Sequence, residues 1–205
     1  LLLNQKVGAM SVYRTIFFLP TIVPVVASAV LWLWVLTPDG GLLNGLLMQF
    51  FGIRGPGWIA DPAWSKPSLI LMSLWTVGTA IVVFLAGLAE VPKELYEVAD
   101  IDGAGPWRKF RNVTLPLITP TILFNLVMGL IGAFQYFTQV YVMTNGTGSP
   151  AKSTLLYALY LYRTSFNYLK MGYASAMAWL LFLVVFGATL AVMLSSKRWV
   201  HYHGE

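Results

Sequence analysis

The sequence predicts an all-α membrane protein, and three observations carry that prediction. Charged residues make up 10% of the 205, against about 25% in a soluble domain. Mean hydropathy is +0.70, so much of the surface is suited to something other than water. Four stretches carry no Asp, Glu, Lys or Arg: Thr15 to Pro38, Pro67 to Ala89, Asn112 to Ala151 and Met171 to Ser196, of 24, 23, 40 and 26 residues. A helix crossing the hydrocarbon core needs roughly 20. In lipid the backbone must satisfy its own hydrogen bonds, and long unalternating runs of Leu, Val, Ile, Phe and Ala fit helices better than barrel strands.

Spans are expected near 15–37, 67–89, 117–143 and 171–196, within one membrane domain covering residues 1–205. Pro20 and Pro24 remove backbone donors from the first and bend it. Pro38-Asp39-Gly40-Gly41 is a turn signal, and Leu42 to Ile53 is too short to cross, so it is expected at the interface. Trp58 and Trp64 fit an aromatic belt. After the second span, residues 90–112 form the most polar segment and hold five of the eight acids. The third span enters after Pro116 and must end before Asn145-Gly146-Thr147-Gly148. Ser153 to Lys170 reads as a short outer amphipathic helix, and Lys197-Arg198 stops the last span. The opening Leu1-Leu2-Leu3-Asn4-Gln5-Lys6 looks like the tail of an earlier apolar helix, so a fragment with about four complete spans is expected.

With the first loop inside, eight of thirteen basic residues, including Lys93, Arg108, Lys109 and Arg111, fall on the cytoplasmic side, the bias that sets orientation. This placement in short loops accounts for the net charge of +5 without nucleic acid. With no cysteine, there is neither a disulfide framework nor a thiolate metal site.

Within the polar loop, Pro92 suits a first helical position, Glu94 favours the positive end of the helix dipole, and Gly103 suits the left-handed residue that closes a helix. A helix over 92–102 follows. It places Leu95, Val98, Ala99 and Asp102 on one side, with Tyr96 and Ile101 flanking: a mixed apolar face in a water-exposed loop. A second short helix can start at Pro106. An ordinary interfacial connector would also fit these features.

The wording of the loop is more specific. Glu97-Val98-Ala99, three residues, Gly103, nine residues, then Val113-Thr114-Leu115-Pro116 resembles the EAA signature of ABC transporter permeases, with Val98 and Val113 as apolar replacements. Leu95 to Gly105, Phe17-Phe18-Leu19-Pro20 and Pro38 to Asn44 are similar to the carbohydrate-uptake branch, of the maltose MalF-like or glycerol-phosphate UgpA-like type. The resemblance covers essentially the whole chain and implies a type I ABC importer permease (MetI-like) transmembrane domain. The family usually has six core spans, so the first and most of the second are expected to be missing. It also implies a coupling helix in the loop, with Leu95, Glu97, Val98, Ala99, Asp102 and Gly103 meeting a cytoplasmic ATPase subunit. The implied partners are a second homologous permease subunit, two ATP-binding subunits that hold ATP and Mg, and an extracytoplasmic solute-binding protein. No cofactor would be bound by this chain. The implied setting is a bacterial or archaeal inner membrane, and the implied cargo a sugar or sugar derivative.

In the third span, Thr121, Asn125, Met128, Gly132, Gln135 and Gln139 recur at spacings of 4 and 3. At about 100° per residue they fall in one arc. Such polar residues either bond neighbouring helices or line a hydrated path. The cluster Phe134-Gln135-Tyr136-Phe137-Thr138-Gln139 favours solute, because amides bond hydroxyls while rings cover apolar sugar faces. It also resembles the sugar-contacting segment of the maltose permease. Candidate path residues are therefore Asn125, Phe134, Gln135, Tyr136, Thr138 and Gln139, with Tyr173, Ser175 and Trp179 as alternatives that equally suit packing or an interface belt.

Other signals carry less. Gly148 to Ser153 lacks the glycine spacing of a phosphate-binding loop, so ATP is not expected on this chain. His201 and His203 read as a solvated tail rather than a metal site. A permease for another polar solute would fit the same features. A membrane-embedded enzyme would need convergent ionisable groups at the membrane face, and a secondary transporter would often need intramembrane carboxylates.

Overall fold

The computed structural model describes Leu3 and residues 8–201, and all regular structure among them is helical. The expected helix tail at Leu1 to Lys6 lies, Leu3 apart, outside the described residues, as does His203.

The helices in chain order are α1 (Met10–Ile22), α2 (Val25–Val35), α3 (Leu42–Phe51), α4 (Pro62–Ser73), α5 (Gly78–Ala89), α6 (Lys93–Ile101), α7 (Pro106–Lys109), α8 (Leu115–Leu117), α9 (Thr119–Phe134), α10 (Thr138–Thr144), α11 (Tyr157–Tyr162) and α12 (Met171–Ser196). The α9–α10 stretch, Thr119–Thr144, and α12 are each 26 residues and apolar enough to cross a bilayer. Two further stretches qualify only as pairs joined at a break: α1 with α2, and Pro62–Thr76 with α5.

The breaks correct the expected spans. The helix expected over 15–37 begins earlier, at Met10, continues through Pro20 and stops before Pro24, which is extended at ψ 138° and has no N–H to give. The helix expected over 67–89 begins at Pro62, because the Asp61 carboxylate accepts from the Ala63 N–H at 2.9 Å and caps it. It carries Pro67 inside, tightens into a 3₁₀ turn at Leu74–Thr76 and breaks before α5. The interfacial helix is found as α3, closed by Gly52 at φ 65°. Of the helix expected over Ser153 to Lys170, only α11 and a π turn at Arg163–Asn167 form. Loop bonds account for the shortening: the Ser153 and Thr154 hydroxyls donate to the Pro150 and Ser149 carbonyls, the local competition that keeps such residues out of helices.

The chain divides into two compact units, Leu1–Leu19 with Gly78–Gly132 and Val184–Glu205, and Pro20–Val77 with Ala133–Leu183. The second unit buries Leu36, Leu69, Met72, Val140, Met143 and Leu159, where α2 packs on α10. Its α3 is sewn down by Asn44, which accepts from the Trp58 indole N–H at 2.7 Å and donates to the Pro38 and Pro56 carbonyls at 3.0 and 3.3 Å. Trp58 thus has a structural bond as well as its edge-on contact with Trp64. The first unit has a smaller centre of Leu88, Val91 and Ile118, flanked by Tyr96, Val113, Leu117 and Ile122. There α5 and α9 meet at Gly87, where a Cβ would collide with the Thr121 hydroxyl.

Candidate functional site

The polar loop folds as an elbow. α6 starts one residue later than expected, since Pro92 is extended at ψ 134° and serves as the cap, leaving Glu94 in the first turn. The far end is closed by paired backbone bonds, Ala104 N–H to Ala99 C=O at 2.8 Å and Gly103 N–H to Asp100 C=O at 3.0 Å. With Gly103 at φ 65°, this is a Schellman closure, which glycine enters without a Cβ penalty. Gly105 then caps α7, which begins at Pro106 as expected.

α6 turns three different surfaces outward from its axis. Tyr96 packs on the Leu88–Val91–Ile118 centre, and its hydroxyl lies 2.8 Å from that of Thr114. Leu95, Val98, Ala99 and Asp102, grouped by the sequence on one face, line one open groove of about 510 Å³ together with Arg108, Lys109, Pro116 and His201. Glu97 and Ile101 lie outside that groove and are exposed. Val98 is 55% exposed, Ile101 86% and Trp107 72%, a concentration of bare apolar surface unusual for a polar connector. Lys109 pairs with Asp100, while Glu97 makes no hydrogen bond or ion pair among the described residues. The arrangement presents a firm, partly apolar wedge with an unpaired carboxylate, a shape suited to a protein groove.

His201 has a backbone anchor that the sequence did not indicate. Although exposed, it lines the same groove, and its backbone N–H donates to the Thr119 hydroxyl at 2.9 Å. Sequence spacing has no signal for this bond, which joins residues 82 apart.

The expected polar stripe is interrupted. α9 ends at Phe134 and α10 begins at Thr138, with Phe137 non-helical at φ −131°, ψ −59°. The 100° phasing therefore holds only through Gly132, and Gln135 belongs to the break. Asn125 donates to the Thr121 carbonyl at 2.9 Å, within its own helix, and lies in the first unit, whereas Phe134, Gln135, Tyr136, Thr138 and Gln139 lie in the second. Asn125 is thus satisfied within its own helix, while Thr121 packs against Gly87 of α5.

Within the second unit, Tyr136 and Ala133 face Lys66, Leu69, Ile70, Ser73 and Leu156 across an open groove of about 290 Å³. The Tyr136 hydroxyl is buried without a hydrogen-bond partner, a costly state that a polar ligand group would relieve. Phe134 and Gln135 are exposed beside it. Sequence reasoning missed Ser73 and Lys66, because nothing in the periodicity of α4 marks the partner of a kink 60 residues away. Of the alternatives, Ser175 and Trp179 share a shallow recess with Ala178 and Phe182, and Tyr173 is exposed.

Apolar helices of crossing length, broken helices beside a recess with an unsatisfied hydroxyl, and a capped elbow together define a helical membrane permease domain. The chain belongs to the family described as binding-protein-dependent transport system inner membrane component, whose model matches residues 8–201. It is 43% identical, over 100% of its length, to the probable ABC transporter permease protein YesP of Bacillus subtilis, and 36% identical over 89% to the lactose transport system permease protein LacF of Rhizobium radiobacter. It spans 66% and 62% of those two proteins. It also resembles a chain in the crystal structure of a bacterial alginate ABC transporter in complex with alginate pentasaccharide-bound periplasmic protein. That likeness has a TM-score of 0.82 and 26% identity, and covers 96% of this chain and 69% of the other.

Proposed function

We propose that the chain is the non-catalytic permease subunit of an ATP-driven importer for a sugar or sugar derivative. In this reading it pairs with a homologous permease subunit in a bacterial or archaeal inner membrane, crossing it four times within residues 8–201. A solute-binding protein delivers the cargo from outside, and two ATP-binding subunits inside hold ATP and Mg and do the hydrolysis. The family membership supports the class, and the lactose and alginate relatives support a saccharide cargo.

The observation that carries the reading is the elbow. Its Schellman-closed end fixes the direction of α6, and its face of exposed Leu95 and Val98 with half-buried Ala99 offers small and medium apolar side chains to a partner groove. Glu97 and Asp102 add charge for pairing with basic groups of that partner. ATP-driven closure would displace the elbow and rock the spans attached to it, opening the path alternately to the two sides. At the path, the Tyr136–Ser73–Lys66 recess with Phe134, Gln135, Thr138 and Gln139 nearby supplies rings and hydrogen-bonding groups, the pairing that a saccharide needs.

The test is co-purification followed by uptake. A tagged copy of the protein is expected to bring down a second permease and an ATP-binding subunit, and the assembled complex in proteoliposomes to accumulate a mono- or oligosaccharide only with ATP and a loaded binding protein. A chain that purifies without any ATPase, or a complex that moves no saccharide, would remove this reading.

A further inference from the structure

The elbow is useful as a lever only if something ties it to the membrane helices, and one pair of hydroxyls is placed to do so. We infer that the Tyr96–Thr114 hydrogen bond is the positioning link that transmits displacement of α6 to the entry of α9. This rests on the coupling role proposed above.

Four observations converge on the pair. Tyr96 is the residue of α6 that turns inward, packing with Val113, Leu117 and Ile122 around Leu88, Val91 and Ile118. Its hydroxyl meets the Thr114 hydroxyl at 2.8 Å across 18 residues of chain. Thr114 is only 4% exposed and Tyr96 half-buried, so the bond is shielded on the Thr114 side and solvent replaces it poorly there. Thr114 also closes a π turn at Phe110–Thr114 that precedes α8 and the non-helical Ile118, and single π turns inside helices are frequent at functional positions.

The geometry divides labour between neighbouring residues. Leu95, Val98, Ala99 and Asp102 face the open groove, whereas Tyr96 alone on α6 reaches the buried centre. Without the bond, α6 remains joined to α9 through apolar contacts, which are non-directional and tolerate sliding. The other polar tie, Lys109 to Asp100, is exposed on its acidic side, so it is screened and weak. The hydroxyl pair is thus the directional, part-buried connection between the part that meets the motor and the part that enters the membrane.

The experiment uses the whole importer, with its permeases, ATP-binding subunits and binding protein, in proteoliposomes. It reads saccharide transported per ATP hydrolysed in wild type, Tyr96→Phe, Thr114→Val, Thr114→Ser and the double variant Tyr96→Phe/Thr114→Val. Phenylalanine keeps the ring and its packing. Tyr96→Phe and Thr114→Val are expected to lower the transport-to-hydrolysis ratio by roughly fivefold or more, the factor corresponding to about 1 kcal/mol of a neutral hydrogen bond, with ATP hydrolysis and assembly kept. Thr114→Ser is expected to retain the wild-type ratio. The double variant is expected to stay uncoupled, because removing both hydroxyls relieves the unsatisfied group without restoring the link. Recovery of the ratio in the double variant would overturn the inference, since that is the signature of a stability effect alone. An unchanged ratio in both single variants, or parallel loss of hydrolysis and assembly, would overturn it as well. A wild-type complex that couples no saccharide to ATP would instead sink the function on which the inference depends.

Discussion

Gly103 is held at φ 65° with open space where a side chain would begin, so substitutions there act through the backbone alone. Gly103→Asn, a residue that tolerates the left-handed conformation, is expected to keep saccharide-stimulated ATP hydrolysis near wild type. Gly103→Pro fixes φ near −65° and removes the N–H bonded to Asp100, and is expected to abolish stimulation while the protein still inserts. Equal activity of the two variants would show that the elbow exit does not matter. Gly87 is the opposite case, a position where space decides. A Cβ there meets the Thr121 hydroxyl, so Gly87→Ala is expected to destabilise the protein by about 1–3 kcal/mol, and Gly87→Ala with Thr121→Gly to recover most of it. Thermal melting in detergent measures both.

At the scale of the element, the break between α9 and α10 matters more than either helix. It removes Gln135 from a helix face and leaves it exposed beside the Tyr136 recess. Gln135→Leu is expected to raise the KM for saccharide uptake by about tenfold at unchanged insertion, in the range that one lost hydrogen bond to a ligand gives. An unchanged KM would remove Gln135 from the path. Asn44 plays the corresponding part for α3, with its amide bonded to Trp58, Pro38 and Pro56 and only 8% of its surface exposed. Asn44→Ala is expected to cost about 1–3 kcal/mol, because it leaves a half-buried indole donor without its acceptor, and to speed proteolysis between Gly52 and Trp58.

These elements also show what could be read beforehand. The elbow was legible almost residue by residue, because Pro92, Glu94, Gly103, Gly105 and Pro106 act through local backbone chemistry that the sequence states directly. The one-residue shift at Pro92 is an ordinary uncertainty between cap and first turn. Helix breaks were only half legible: Pro24 announced itself, whereas nothing in Leu74 to Val77 or Gln135 to Phe137 marks an interruption, since no proline or glycine stands there. Such breaks depend on tertiary neighbours that override local propensity. The Tyr136 recess and the His201–Thr119 bond join residues far apart in the chain, and periodicity along one helix cannot supply them.

At the scale of the whole molecule, the decisive feature is how little of the apolar surface is covered. Along α12, Leu180, Leu183, Leu190 and Leu194 are all exposed, as expected of a helix that is apolar all round and meets lipid or other spans. Glu97→Lys is a whole-complex prediction, since this carboxylate has no partner among the described residues. It is expected to insert normally but to lower co-purification of the ATP-binding subunit and saccharide-stimulated hydrolysis together, both measured on the same preparation. Normal values of both would exclude Glu97 from the contact.

The bare surface of Ile101 and Trp107 has a consequence for the cell as well as for transport. If the elbow docks an ATP-binding subunit as proposed, a copy made in excess of that subunit would leave these greasy side chains bare in the cytosol, an exposed patch of the kind that invites aggregation or degradation. Supply of that subunit would then set how long each newly made copy survives, and pulse-chase turnover with and without it is expected to show a shorter lifetime in its absence. In the proposed importer an unmated elbow would thus become a tag for disposal, and its bare surface would police stoichiometry.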